Sequence, residues 1–381
     1  MNETAAEILH YLDNAATTQV LEPAAQAAWD CMRRQYGNPS AQHGLGLQAA
    51  ALLDRARKQV AAALNCPPEQ VIFTSCGTES ANTAIQNAAR RGRRFGRHIV
   101  STQIEHKATL ETLKALEQQG WEIALVSPER DGTVDPAKIE AALRKDTALL
   151  TLAAVNSETG AILPWQEAAE AARRKAPHCL THVDGVQAFC KLPLPLRNVD
   201  YLSISAHKIG GCKGVGALYC REPRLLQPLL WGGGQEGGLR SGTEGTPQIC
   251  AFGEACALRA PNRERDAAYM EGLKQKLLAL LPSLPCPVRV NSPTNGAPHI
   301  LNFSPEAGRS EVLVRALSDQ GVYVSGGSAC ARGRRSYVLQ RMKLPAQAVD
   351  SALRVSFCPE TTEEDVEALI QALAQALRLF V

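Results

Sequence analysis

No CxxC pair occurs anywhere in the chain, although it holds twelve cysteines. Without paired spacing they build neither a disulfide framework nor a zinc site, and most are expected to be small core hydrophobes. No apolar run approaches the eighteen or so residues of a membrane span. The opening MNETAAEILH has neither a basic region nor an apolar one, so it is not read as a signal peptide. The expected location is cytoplasmic, with no membrane partner. Charge of one sign is also scarce. Lysine and arginine total 41 against 38 acidic residues, a net +3, which gives no direct nucleic-acid partner. Arg90, Arg91, Arg93, Arg94 and Arg97 form a local basic patch, read as a solvated helix end and loop. Gly44-Leu45-Gly46 lacks the third glycine of a dinucleotide fingerprint, and Lys213 in GGCKG does not complete a Walker A loop. There is no internal repeat and no low-complexity segment.

What is present is alternation. Residues 71–75, 98–102, 121–126, 148–155, 179–184, 201–205 and 215–220 read as short strands, apolar on both faces or β-branched, and bounded by turn residues. Helical patterns at 80–90, 107–119, 136–145 and 165–175 separate several of them. This is the pattern of βαβ units and a mostly parallel, buried sheet. After Gly232-Gly233-Gly234 the rhythm changes. A long helical stretch, 247–281, is interrupted at Pro261. Strands follow at 288–291 and 299–304, then a helix at 309–320 and strands at 322–325 and 352–357. A last helix starts from Thr361, where Thr361 and Glu364 have capping-box spacing. The expectation is an α/β chain with a large domain over 16–250 and a smaller α+β domain made of 1–15 and 251–381.

Several strand ends carry residues that suggest chemistry. In SISAHKIGGCKG (203–214), Lys208 follows a strand and precedes a glycine-rich turn. A desolvated lysine there is a nucleophile that forms Schiff bases; otherwise it is a surface lysine. In LTHVDGVQAF (180–189), Asp184 ends an apolar strand and would pair with a protonated pyridine nitrogen, or serve as a helix cap. Gln187 could reach a phenolic oxygen. In FTSCGTES (73–80), a strand runs into Gly77 and Thr78 at a helix start, a phosphate cup or an ordinary turn. His106 and Asn156 also follow strands, where open parallel sheets bind ligands. One cofactor, pyridoxal 5'-phosphate, needs this whole set: a Schiff-base lysine, a carboxylate for the ring nitrogen, a phosphate cup and something flat against the ring.

The order of these segments resembles the cysteine desulfurases, pyridoxal-phosphate enzymes of the class V aminotransferase family with the fold-type I architecture. The resemblance runs nearly end to end through YLDNAATT (11–18), YGNPSAQH (36–43), FTSCGTES, EHKATL (105–110), VNSETG (155–160), HVDGVQ (182–187), SAHKIGGCKGVGALY (205–219), GGGQEGGLRSGT (232–243), GGSAC (326–330) and LRVSF (353–357), with TTEED after it. It implies a seven-stranded large-domain sheet. It implies that Lys208 carries the cofactor, Asp184 meets the ring nitrogen, Gln187 meets the ring oxygen and His106 stacks on the ring and serves in proton transfer. Gly77, Thr78, Ser205 and His207 would hold the phosphate, and Thr243 would reach the phosphate site of a partner subunit, giving a homodimer. Arg354, assisted by Asn156, would bind the carboxylate of L-cysteine.

Cys330 matches the family's nucleophile. The implied reaction frees alanine and leaves a persulfide on Cys330, which passes to an acceptor protein serving iron–sulfur cluster or thiolated-nucleoside synthesis. Gly326 and Gly327 suit a hinge. The segment after Cys330 departs from the family pattern. It reads ARGRR, one residue shorter than expected, with Arg332, Arg334 and Arg335 at neutral or acidic positions; positive charge there favours thiolate. The alternatives are a selenocysteine lyase or other class V enzyme, and a non-catalytic scaffold or redox sensor.

Overall fold

Seven strands form one sheet whose burial explains their composition. The computed structural model describes residues 9–326 and 335–380. After a short strand β1 (His10–Tyr11), the sheet takes β2 (Val71–Thr74), β3 (His98–Thr102), β4 (Glu122–Val126), β5 (Thr147–Ala153), β6 (Leu180–Asp184), β7 (Tyr201–Ser205) and β8 (Gly216–Cys220). Their order is β2-β8-β7-β6-β5-β3-β4. Strands β4, β3, β5, β6 and β7 are parallel, and β8 runs antiparallel between β7 and β2. Every residue of the sheet strands β2–β8 is buried except on β4, one of its two edges, where Glu122 and Leu125 are exposed. Burial on both faces favours apolar and β-branched side chains over strict alternation, which is why composition and bounding turns located the strands.

The helix Gly77–Gly92 packs so closely on this sheet that a Cβ on Gly92 would stand 2.5 Å from Ala148 Cβ. Two helices that the sequence analysis leaves unassigned, Glu22–Arg34 and Gly44–Leu64, lie on the same body. Their buried faces are mostly alanine, including Ala24, Ala28, Ala49 and Ala56. The helix Thr246–Arg259 spans the expected boundary at 250, and its Ile249, Phe252, Ala255 and Cys256 belong to the core of the large sheet. After residues 260–262 the chain enters the helix Arg263–Leu280.

A second core gathers Leu12, Leu273, Phe303, Leu313, Leu353, Phe357, Leu369 and Leu373. It is built on an antiparallel sheet of β9 (Val288–Val290), β10 (Ile300–Pro305) and β12 (Leu353–Ser356), while β11 (Val322–Tyr323) pairs in parallel with β1. The N-terminal strand thus joins the smaller body. No helix of the described residues is long and apolar enough to cross a membrane.

The capping box of the last helix, Glu363–Leu377, falls one residue later than its expected place. Thr362 Oγ1 accepts from Asp365 N–H at 3.2 Å, and Asp365 Oδ2 accepts from Thr362 N–H at 2.7 Å. Thr361 is unavailable because its hydroxyl accepts from Cys358 N–H at 3.0 Å. Thr362→Ala is therefore expected to destabilise the protein by about 1 kcal/mol in denaturant unfolding, with Glu364→Ala near neutral. The reverse ranking would reinstate the Thr361–Glu364 box.

Candidate functional site

The parallel strands end on one side of the sheet, and the polar residues predicted from sequence collect there. The end of β2 delivers Cys76, Gly77 and Thr78. Just past β3 comes His106, and past β5 Asn156. Strand β6 ends in Asp184, with Gln187 after it. Strand β7 ends in Ser205, followed by the turn Ala206–Lys208. Together with His207 and Arg354 these residues line a cavity of about 300 Å³.

Asp184 is buried, and burial pushes its carboxyl above the ordinary range. The charges of His106 and Lys208 pull it back, as does the N–H of Val186, donated to Oδ1 at 3.0 Å. His106 caps the helix Lys107–Glu117, its Nδ1 accepting from Ala108 N–H at 3.1 Å. The proton of the neutral ring therefore sits on Nε2. The ring opens onto the cavity, yet the surrounding protein holds its pKa down, against the pull of Asp184. Lys208 Nζ donates to the carbonyls of Ala15 and Ala16, each at 2.6 Å. Gln187 Nε2 donates to the same Ala15 carbonyl at 2.9 Å. Burial and the neighbouring lysines push His207 down to about 4.

Three observations fit this cavity to pyridoxal phosphate. No side chain caps the helix Gly77–Gly92, so its first-turn N–H groups are available to an anion. A Cβ at Gly77 would stand 2.8 Å from Val186 Cγ2, closing the approach to those groups. The buried atoms Gln187 Oε1 and Ser205 Oγ have no hydrogen-bond partner among the described residues. Buried polar atoms of that kind are rare without a ligand or water.

Other predicted residues are placed differently. Asn156 lines the cavity, but its Oδ1 accepts from the N–H groups of Glu158 and Thr159, both at 2.9 Å, and its Nδ2 donates to Ile104 O at 2.8 Å. Its side chain chiefly shapes the loop. Thr243 lies in a separate cavity with Glu236, Arg240 and Gln248. That loop is fastened by a bidentate Arg57–Glu236 pair, at 2.8 and 2.6 Å, and by Arg240–Glu79 at 2.9 Å. Cys330, Gly327, Arg332 and Arg334 lie outside the described residues. Arg335 is described, and its guanidinium grips Asp350 at 2.6 and 2.7 Å, so an internal carboxylate already meets its charge.

Sequence reasoning missed Glu105. It is fully buried next to His106, with Oε1 accepting from Thr102 Oγ1 at 2.6 Å and Oε2 from Ala153 N–H at 2.7 Å. Burial raises its pKa from 4.5 to about 8, helped by the charge of Asp184. Its place in the quoted EHKATL segment was the available signal. Tyr337 also lines the cavity, and its hydroxyl donates to the Glu105 carbonyl.

The family model for class-V aminotransferases matches residues 10–369. A NifS/IcsS protein homolog from Lactobacillus delbrueckii subsp. bulgaricus is 38% identical over 377 residues, 97% of either chain. A cysteine desulfurase from Nostoc sp. is 38% identical over 373 residues, covering 96% of this chain and 92% of its own. Among solved structures, a NifS-like protein superposes with a TM-score of 0.92 at 35% identity, over 98% of this chain and all of the other.

An acid whose pKa rises on folding stabilises the fold while it is protonated. For Glu105 that contribution is complete below about 4.5 and is lost as pH climbs through about 8. Glu105→Gln should therefore show a smaller fall in melting temperature between about pH 5 and about pH 9 than the unaltered protein. Parallel melting curves for the two proteins would place that pH dependence elsewhere.

Proposed function

The chain belongs to the class-V aminotransferase family, and from that premise we propose that it is a pyridoxal-phosphate-dependent cysteine desulfurase. Its substrate would be L-cysteine, and its products alanine and a persulfide on Cys330. The observation that carries this reading is the convergence of Lys208, Asp184, His106 and the uncapped helix at Gly77 on one cavity, in a chain that matches cysteine desulfurases over its whole length.

When bound, pyridoxal phosphate supplies an electron sink for charge developing at the substrate α-carbon. Lys208 would hold it covalently, and Lys208 Nζ would be the base that takes the substrate α-proton. The carbonyls of Ala15 and Ala16 then receive the resulting ammonium. Asp184 would keep the ring nitrogen protonated, and Gln187 and Ser205 would serve the ring oxygen and the phosphate. Arg354 binds the substrate carboxylate, a task suited to a planar guanidinium. Cys330 Sγ, as thiolate, attacks the substrate sulfur. The Cβ–S bond breaks, a S–S bond forms, and the substrate carbon skeleton leaves as alanine after protonation.

The enzyme would act as a homodimer in a reducing compartment. Thr243 lies outside the first cavity of its own chain, as a residue serving a neighbouring subunit would. The eleven described cysteines are all unpaired, as the cytosol would keep them. The persulfide would then pass to an acceptor protein.

Mass spectrometry after addition of L-cysteine tests the assignment. Cys330 should gain the mass of one sulfur atom. Cys330→Ala should keep the yellow cofactor absorbance yet lose alanine formation, and Lys208→Ala should lose the covalent cofactor. Cys76 is the described cysteine that lines the cavity, so sulfur found there, or alanine formed by Cys330→Ala at the unaltered rate, would refute the Cys330 assignment.

A further inference from the structure

Asp13 lies in the YLDNAATT segment but took no role in the sequence analysis. Its Oδ1 stands 2.6 Å from Arg354 Nη2, while Arg354 Nη1 donates to the Ser157 carbonyl at 2.9 Å. The Arg354 side chain is only 3% exposed, and that of Asp13 20%. A guanidinium carries five N–H donors, and these contacts engage two of them. Nε is buried with no partner among the described residues. One hydrogen on each Nη is thus left uncommitted in a residue that lines the cavity. Two other acidic groups act on Arg354 without touching it. Glu158 is buried, its carboxyl pushed up by that burial and bonded by Ser336. Tyr11 is pushed up to about 12 and is neutral at working pH. Asp13 is therefore the anion in direct contact.

We propose that Asp13 is a positioning residue that sets how Arg354 receives the substrate carboxylate; this rests on the reading of Arg354 given above. Two effects follow from one contact. The carboxylate fixes the guanidinium plane, so that a defined set of donors faces the cavity. Its charge also opposes a second carboxylate beside the same arginine, so binding is weaker than a lone buried guanidinium would give. That weakening suits the reaction. Alanine carries the same carboxylate as L-cysteine, and affinity shared equally by substrate and product slows release without helping the chemical step. Asp13 thus trades carboxylate affinity for orientation.

The test is propionate binding to the cofactor-loaded dimer by titration calorimetry, with propionamide as the uncharged probe. Propionate has the substrate's carboxylate but neither amine nor thiol. Asp13→Asn keeps an oxygen acceptor for Nη2 and removes the charge. It is expected to bind propionate about three- to tenfold tighter, with propionamide unchanged, and to lower KM for L-cysteine without raising kcat. Asp13→Glu keeps the charge and should bind propionate no more tightly than the unaltered enzyme. Propionate affinity that is unchanged or weaker in Asp13→Asn, or tighter in Asp13→Glu, would overturn the inference. Arg354→Gln separates the two readings. It should abolish propionate binding, and if binding survives there, the assignment of Arg354 itself falls. Loss in Arg354→Gln together with no gain in Asp13→Asn sinks the role of Asp13 alone.

Discussion

A carboxyl group at the end of a strand buried on both faces is the constraint around which this molecule is arranged. Taking an ion out of water costs several kcal/mol even after the protein relaxes, and Asp184 has one backbone N–H as direct compensation. The rest comes from His106 and Lys208, whose charges draw its pKa back down. Both stand at ends of other strands in the same parallel sheet. The arrangement therefore depends on topology. Only parallel neighbours bring several strand ends, with the turns and helix starts that follow, to one side. A second buried carboxyl, Glu105, lies close enough for the charge of Asp184 to help raise its pKa. Two acids and one imidazole held this close make little sense as packing, and they make good sense as a socket for a cationic ring.

The short segment 12–18 connects that socket to the second body. Leu12 sits in the smaller core and Ala15 in the larger. Between them, Asp13 holds Arg354, and the Ala15 carbonyl receives both Gln187 and Lys208. Farther on, the N–H and hydroxyl of Thr18 both donate to the His207 carbonyl. Ser356 of β12 fixes the segment from the other side, its Oγ accepting from Ala15 N–H at 2.8 Å. Contacts to Arg354 and to Lys208 thus run through four consecutive residues. A shift at Arg354 would be felt at Lys208 through backbone that has little freedom to absorb it.

The sheet was legible because two-sided burial favours short apolar and β-branched segments, and six of its seven strands are buried throughout. The alanine-rich helix at 44–64 was not, because a face of alanines is a weak periodic signal, whereas the helix at 22–34 carries a clear amphipathic pattern and was readable. The cavity was legible in part. Lys208, Asp184 and Gly77 are residues whose type and strand-end position are both unusual, so each raised a question in the sequence. Asp13 and Glu105 were invisible as individuals. Their roles come from partners 341 and 48 residues away, Arg354 and Ala153, and no local pattern announces such a pairing. Asn156 shows the converse. Its position suggested a substrate contact, while most of its hydrogen-bonding capacity closes its own loop.

The cysteines make a related point about selectivity. A nucleophile has to be a thiolate, and burial opposes that. Cys179, Cys220 and Cys250 are pushed up to about 12 by burial, Cys66 to about 11, and Cys256 far above its ordinary value. At neutral pH these thiols are protonated and behave as the small hydrophobes their apolar settings suggest. An enzyme that makes persulfides can therefore carry many cysteines safely, provided the reactive one is kept out of the core. The sequence around Cys330 is basic instead, with Arg332, Arg334 and Arg335 close by in the chain. Among these arginines the described one, Arg335, already has its charge met by Asp350.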